Sequence, residues 1–590
     1  MMEIIPQPQK QEKFDKIITF KGEYSYSPIN EEYEAVTKYL SGFLPCSEMA
    51  KGKLTFELDE NLKKEEYILD VDDDITIISS SAEGAFRAAS TLKQLVKHGE
   101  CEKQRIQDFP MIKERGIMLD ISRGKVPYKK SILALIDMMA DLKYNQLQLY
   151  LENIVFEYDH FPEYWKDMMP ITKQELEEIQ NHCKEKFIEL VPNQNGFGHM
   201  GHWLKKEELM HLGITRDDGN KTTTLNPLKK ESLELVDTIY SDLLPHFESG
   251  FLNVGMDEPF ELGQGETKEI CEKEGKGRVY LDYLNKIIEL SNKKYNKVPM
   301  FWDDIVFEYP ELIKDINPEC IFMDWGYEEE FPFMERCRYL KDLGLKFYTC
   351  PGTSTWASFT GRFENMIYNI EAAAKACIVH EGEGMLLTDW GNGGHPQFLV
   401  MSYLPYIYGA NCAWNYKVWK KLDTFTHTPY CKMCNKIIGQ CIAYADKFLF
   451  NDNKVGGILR KMANFYVLEN NSIWDSTYLW TDSENALKGR NPVMDAPTCR
   501  QIASHMTNVK NEFLELDRET PYFDEIVCNC NMVILFARFL AYNISGVADL
   551  ELKDELMALK KEFLRLWEKE NRIVGSEIFA GRIDKMIECM

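Results

Sequence analysis

Gly116-Ile-Met-Leu-Asp120, then Ser131-Ile-Leu-Ala-Leu-Ile-Asp-Met-Met-Ala-Asp-Leu-Lys-Tyr144, then Gln146-Leu-Gln-Leu-Tyr-Leu-Glu152 set the rhythm that decides the fold. The first and last are short apolar runs of strand length. The middle one carries Ile132, Leu135, Ile136, Met139 and Leu142 on one face at helical spacing. The pattern then repeats. Strand-like runs follow at Phe187-Ile-Glu-Leu-Val-Pro192, Phe251-Leu-Asn-Val-Gly255, Val298-Pro-Met-Phe-Trp302, Cys320-Ile-Phe-Met-Asp324, Lys346-Phe-Tyr-Thr-Cys350 and Gly384-Met-Leu-Leu-Thr388. Helical segments fall between most of them: one opens on the capping box Thr172-Lys-Gln-Glu175, and others span residues 228–247 and 279–295. Strand and helix alternate from residue 115 to about 414, which predicts a parallel sheet, and eight units predict its closure into a (β/α)₈ TIM barrel. An open doubly wound sheet is the alternative, but no glycine fingerprint follows the first strand.

The flanks read differently. Residues 1–108 form an N-terminal α/β domain, with strands at Lys53-Leu-Thr-Phe-Glu-Leu58 and Ile75-Thr-Ile-Ile-Ser79, a helix from Glu83, and a boundary turn at Asp108-Phe-Pro110. The barrel is assigned to residues 109–424. From 425 to 590 strands give way to amphipathic stretches such as 526–541 and 550–572, a C-terminal helical domain without visible chemistry.

Composition bounds the chemistry. The 590 residues are 44% hydrophobic and 28% charged, a globular balance. A net charge of −25 excludes electrostatic attraction to nucleic acid or anionic membrane but leaves a neutral substrate such as a sugar open. Eleven Trp fit sugar stacking, although core packing accounts for most indoles in any protein. The opening Met1-Met-Glu-Ile-Ile-Pro lacks a secretory pattern, no apolar run reaches transmembrane length, and the 16 Cys show no disulfide rhythm, so a cytoplasmic protein with reduced thiols is expected. Cys431-Lys-Met-Cys434 and Cys528-Asn-Cys530 lack a second close Cys/His pair, so neither reads as a metal site. No cofactor is expected, and a homodimer through the helical tail stays open.

Barrel enzymes carry their active sites at the carboxyl ends of the strands. Those ends hold Asp120, Ser122 and Arg123; Tyr150, Glu152 and Asn153; Asn193, Asn195 and His199; and Asp257 and Glu258. Later strands add Trp302, Asp303 and Asp304; Asp324 and Trp325; Tyr348; and Asp389 and Trp390. Acids, indoles and amides on one rim suit a sugar pocket. Each alone has a plain reading: Arg123 a rim salt bridge, His199 a core or capping histidine. The adjacent pair Asp257-Glu258 weighs most, because buried strands avoid ionised acids unless these are paired. Magnesium on Asp303, Asp304 and Asp324 is the competing use of the rim, whereas no His-x-His or His-Glu-x-x-His occurs.

Three segments resemble the family 20 glycoside hydrolases, the β-N-acetylhexosaminidases. Arg115-Gly-Ile-Met-Leu-Asp-Ile-Ser-Arg123 resembles the first barrel strand of that family, Glu189-Leu-Val-Pro-Asn-Gln-Asn-Gly-Phe-Gly-His199 its strand ending in Pro-Gly-His, and Val254-Gly-Met-Asp-Glu258 its Gly-Gly-Asp-Glu signature. The resemblance runs over about residues 20–415. It implies exo-acting, retaining removal of terminal β-linked GlcNAc or GalNAc from a glycan or glycoconjugate. Two-carboxylate retaining enzymes need acids about 5–5.5 Å apart across the sugar, which neighbours on one strand do not straddle; substrate assistance, the recognised exception for family 20, removes that need. The substrate's acetamido oxygen then attacks, forming an oxazolinium.

On that resemblance Glu258 is the acid and then the base, Asp257 accepts the acetamido N–H, and His199 tunes Glu258. Tyr348 holds the acetamido oxygen. Trp302, Trp325, Trp390 and Trp356 wall the pocket. Arg123, with Asp120 behind it, binds the outer hydroxyls, and Asp389 takes another. The chain departs from the family in having Asn253 where a histidine is usual, Met256 where a second glycine is usual, and Gln148-Leu-Tyr-Leu-Glu-Asn153 where a His-rich run with aspartates is usual. The acid behind His199 is therefore Glu152, Asn153 or absent, and the choice of sugar is open. Two further readings remain: a barrel glycosidase pairing Glu258 with Asp303 or Asp324, and a carbohydrate-binding barrel without catalysis.

Overall fold

The computed structural model describes residues 4–220, 222–415, 432–452, 454–464 and 495–590. The first six strands, β1 (Lys10–Thr19), β2 (Tyr24–Ser25), β3 (Gly52–Leu58), β4 (Tyr67–Val71), β5 (Ile75–Ser79) and β6 (Glu100–Asp108), form one sheet in the order β1-β6-β4-β5-β3-β2. Strands β4 and β5 alternate buried and half-buried residues, so one face is sealed, with Leu69, Ile75 and Ile77 buried in the same core as Phe86 and Leu92 of the helix Ala82–Val96.

The next eight strands are β7 (Glu114–Asp120), β8 (Gln146–Leu151), β9 (Glu189–Gln194), β10 (Phe251–Asn253), β11 (Val298–Trp302), β12 (Ile321–Trp325), β13 (Phe347–Cys350) and β14 (Gly384–Asp389). Each pairs in parallel with the next, and β14 pairs with β7 from Gly384↔Glu114 to Asp389↔Leu119, closing the barrel that the strand count predicts. The capping box forms as read: Thr172 Oγ1 accepts the Glu175 N–H at 3.1 Å, and Glu175 Oε2 accepts the Thr172 N–H at 2.9 Å. Met118, Tyr150, Val191, Met300, Trp302, Ile321, Met323, Tyr348, Cys350 and Leu386 fill the interior. These residues fix which parity of each strand points inward, since side chains alternate along a strand.

Buried charge joins the sheet to the barrel. Glu65 receives Arg115 at 2.5 Å and Arg87 at 2.9 Å. Burial works against its carboxylate, but the two guanidiniums overcome that and hold it down to about 2. At the barrel's other end the C-terminal helices fix the segment after β7. Tyr128 N–H donates to Glu570 O and Arg572 N–H to Val126 O, both at 2.9 Å. Arg123 therefore stands on a loop braced from outside the barrel.

Contrary to the expectation that no apolar run reaches transmembrane length, the helix Phe523–Ser545 is long and apolar enough to cross a membrane by length and composition; Asn529, Asn531 and Arg538 break its apolar sequence. In its most apolar window 78% of residues are buried against neighbouring helices, as in a core helix. Cys528 and Cys530 lie inside it, and burial pushes the Cys530 thiol up to about 12, away from a metal-binding thiolate. The Cys431 and Cys434 side chains lie outside the described residues.

Candidate active site

Strand β10 is short, and the chain leaves it through a tightly bent segment. Gly255, Met256 and Glu258 all have positive φ, at 69°, 81° and 47°. Left-handed backbone at non-glycine residues is costly and is held only where the surroundings over-determine it. Two close approaches do so here. A Cβ on Gly255 would fall 1.7 Å from Asn195 Oδ1, and one on Gly198 would fall 2.0 Å from the Asp257 carbonyl oxygen. The loops after β9 and β10 thus interlock, which seats His199 on the acid pair.

His199 Nε2 lies 3.2 Å from Asp257 Oδ2 and 3.2 Å from Glu258 Oε2. Burial disfavours a charged imidazole, but the two carboxylates outweigh it and raise His199 to about 10. At neutral pH it is an imidazolium facing two acids. These three side chains bring ligand-type atoms within 4.8 Å of one another, a spacing a metal could span, yet an imidazolium offers no lone pair. The two acids differ in exposure: 8% of the Asp257 side chain is accessible against 36% for Glu258. Asp257 Oδ1 is buried without a hydrogen-bond partner, an acceptor held ready for an outside donor.

Behind His199, on its Nδ1 side, stand Glu152 and the Arg123 guanidinium, the latter at 3.4 Å. Glu152 Oε2 is 3.5 Å from His199 Nδ1 and 3.0 Å from Arg123 Nη2, and it accepts the Tyr150 hydroxyl at 2.9 Å. Burial works to raise Glu152, but Arg123 and His199 hold it below the usual carboxylate value. Asn153 instead accepts the Ile154 N–H at 2.7 Å. Asp120 holds the loop that carries Arg123. Its Oδ1 accepts the N–H groups of Ser122 and Arg123 at 2.9 and 3.1 Å, and its Oδ2 accepts the Gly391 N–H at 3.0 Å. The Arg123 guanidinium lies over the Trp390 ring at 4.8 Å, so it is fixed in place while still partly exposed.

Indoles gather at the barrel mouth. Trp302 and Trp390 pack at 5.9 Å between ring centroids, and Trp325 lies 5.1 Å from Tyr327. Trp356 meets Tyr327 edge-on at 5.0 Å and backs it. The indole N–H groups of Trp302 and Trp325 are buried without an acceptor. Tyr327, in the loop after β12, accepts the Trp390 Nε1–H at 2.8 Å. Burial pushes its phenol well up, and Asp257 is near enough to add to the rise. Sequence reading missed Tyr327; its signal was an aromatic hydroxyl two residues past the inward-facing Trp325.

Four expected positions need correction. Tyr348 points into the barrel but at the wrong end. It pairs with Gly384, the first residue of β14, and its hydroxyl accepts from Gln146 at 3.4 Å, with Glu114 and Glu189 near it at the strands' amino ends. Asp389 has the outward parity. Its Oδ1 accepts the hydroxyls of Thr353 and Thr355 at 3.0 and 2.9 Å, and its Oδ2 that of Tyr406 at 2.5 Å, so the carboxylate is committed to a fully buried network. Asp303 and Asp324 also face out, held by Arg336 at 3.0 and 2.5 Å. That guanidinium fills the place a magnesium ion would need, and neither acid is free to act opposite Glu258.

A model of the glycosyl hydrolase family 20 catalytic domain matches residues 113–354, and one of the family's domain 2 matches residues 1–109. Trp356, Asp389 and Trp390 lie beyond the matched span. Hexosaminidase D of Bos taurus is 32% identical over 145 residues, which are 24% of this chain and 41% of that protein. The β-hexosaminidase subunit alpha of Rattus norvegicus is 24% identical over 307 residues, 48% of this chain and 57% of that protein. Both matches span less than two thirds of the curated relative. The chitobiase of Flavobacterium johnsoniae shares the fold, with a TM-score of 0.60 at 18% identity over 99% of both chains. Both of the family's domains are thus matched in order, on a chain whose eight parallel strands close into a barrel: the chain belongs to glycosyl hydrolase family 20.

Proposed function

We propose that the chain is an exo-acting β-N-acetylhexosaminidase that retains configuration through substrate assistance. The observation that carries this reading is Asp257 Oδ1, a buried carboxylate oxygen without a donor beside the half-exposed acid Glu258. An acetamido N–H supplies the missing donor. In the first step Glu258 gives its proton to the glycosidic oxygen as the C1–O bond breaks, and the acetamido oxygen bonds to C1. Asp257 holds the N–H and offsets the positive charge that spreads over the oxazolinium. Tyr327 takes the role first given to Tyr348, donating its hydroxyl to the acetamido oxygen. In the second step Glu258 accepts a proton from water, which bonds to C1 and reopens the ring.

His199, 3.2 Å from Glu258 Oε2, holds that carboxyl in place. Arg123 binds outer hydroxyls of the terminal sugar, and Trp302, Trp325 and Trp390 form the walls. The competing two-carboxylate reading lacks a partner for Glu258, since Asp303 and Asp324 are bound to Arg336. A thiazoline analogue of the cyclised intermediate tests the proposal. It should inhibit competitively and bind at least about 10²-fold more tightly than substrate; absence of inhibition would contradict an oxazolinium route.

A further inference from the structure

Glu258 holds an unfavourable backbone conformation, and one side chain reaches across to support it. Its φ is 47°, its carbonyl accepts the Phe260 N–H at 2.8 Å, and its own N–H donates to Asp304 Oδ2 at 3.1 Å. Asp304 opens the short helix Asp304–Glu308 after β11, so the bond crosses from one strand end to the next. We propose that Asp304 is a positioning residue for Glu258, its carboxyl fixing the bent backbone from which the acid reaches the scissile oxygen. This rests on the activity proposed above.

The surroundings require that carboxyl to be neutral. Asp304 Oδ1 is buried without a partner. The titratable groups that face it are Asp257 and Glu258 from the β10 side, Asp303 on its own segment, and the Tyr280 hydroxyl from the helix Lys276–Tyr295. None of them is a cation. An ionised Asp304 would put a third negative charge beside two acids, with backbone N–H groups of Glu258 and of Asp304 itself but no facing cation to meet it. Burial first, and then Asp257, push the group up to about 8, so it is a carboxylic acid in mildly acidic solution. A neutral acid can still accept the Glu258 N–H through its carbonyl oxygen. Asparagine offers the same acceptor in nearly the same shape; leucine fills the space and offers none.

Steady-state kinetics on 4-nitrophenyl N-acetyl-β-glucosaminide and its galacto epimer at mildly acidic pH test this. For Asp304→Leu, kcat should fall by about 10–10²-fold with KM within about threefold, because misplacing a reacting group by about 1 Å costs that order in rate. Asp304→Asn should keep kcat within about threefold of wild type. If the leucine variant does not fold, Asp304→Ala replaces it. An unchanged kcat on removal of the acceptor overturns the inference. So does an asparagine variant as slow as leucine, or a loss confined to KM. A wild-type chain that turns over neither substrate overturns the proposed activity and this inference with it; a working wild type indifferent to Asp304→Leu overturns only the inference.

Discussion

His199 Nε2 stands 3.2 Å from Glu258 Oε2, and the same nitrogen is 3.2 Å from Asp257 Oδ2, so one imidazolium serves both acids. Against burial, Asp257 and Glu258 raise His199 to about 10. A histidine whose folded pKa exceeds its unfolded value adds stability that is complete below its ordinary pKa of about 6.5 and is lost as pH climbs through the folded value. The Tm advantage of wild type over His199→Gln should therefore be largest in mildly acidic buffer and vanish by about pH 10. Thermal melts across that range check it, and a difference independent of pH would contradict it.

Glu258→Gln removes the proton donor while keeping shape. Turnover should fall by about 10²–10⁴-fold. The loss should be greater for a disaccharide, whose leaving alkoxide needs the proton, than for a 4-nitrophenyl glycoside, whose leaving phenolate needs it less. Equal losses on both would remove Glu258 from the acid role.

Tyr327 and Tyr348 separate by the same substitution. Tyr327→Phe should lower kcat by about 10-fold or more, the scale of one lost donor at a developing charge. Tyr348→Phe changes a hydroxyl at the far end of the barrel and should leave kcat within about twofold. Paired kinetics on the two variants decide between them, and the reverse ranking would restore Tyr348.

Asp389→Ala leaves the hydroxyls of Thr353, Thr355 and Tyr406 without their buried acceptor. Stability should fall by about 2–4 kcal/mol, as for a broken buried hydrogen-bond network. KM of the folded fraction should stay near wild type. Chemical denaturation with parallel kinetics measures both; a raised KM at unchanged stability would show that the carboxylate binds substrate after all.

The barrel was legible because eight apolar runs alternate with helices, and the rim was legible because functional side chains gather at strand ends. Reading ends without reading parity caused the errors. On β14, Leu386 and Trp390 point inward, so Asp389, between them in phase with Leu387, points out. On β11 and β12 the inward series Met300 and Trp302, and Ile321 and Met323, likewise turn Asp303 and Asp324 outward. That signal was present in the sequence. Tyr348 has the correct parity but the wrong depth, and depth depends on barrel register, which pairs it with the first residue of β14. Tyr327 lies in the loop after β12, two residues past Trp325, and only continuing the strand alternation beyond the strand's end points to it. The support of Glu258 by Asp304 and of His199 by Glu152 depends on contacts between strand ends that a linear reading cannot see.

The most direct test of substrate assistance compares kcat/KM for three 4-nitrophenyl glycosides, N-acetyl-β-glucosaminide, N-acetyl-β-galactosaminide and β-glucoside, on wild type and Asp257→Asn. The account predicts turnover of at least one N-acetyl substrate, none of the glucoside, and a loss in Asp257→Asn comparable to that in Glu258→Gln without loss of fold. Turnover of the glucoside at a matching rate, or near-normal activity in Asp257→Asn, would contradict it.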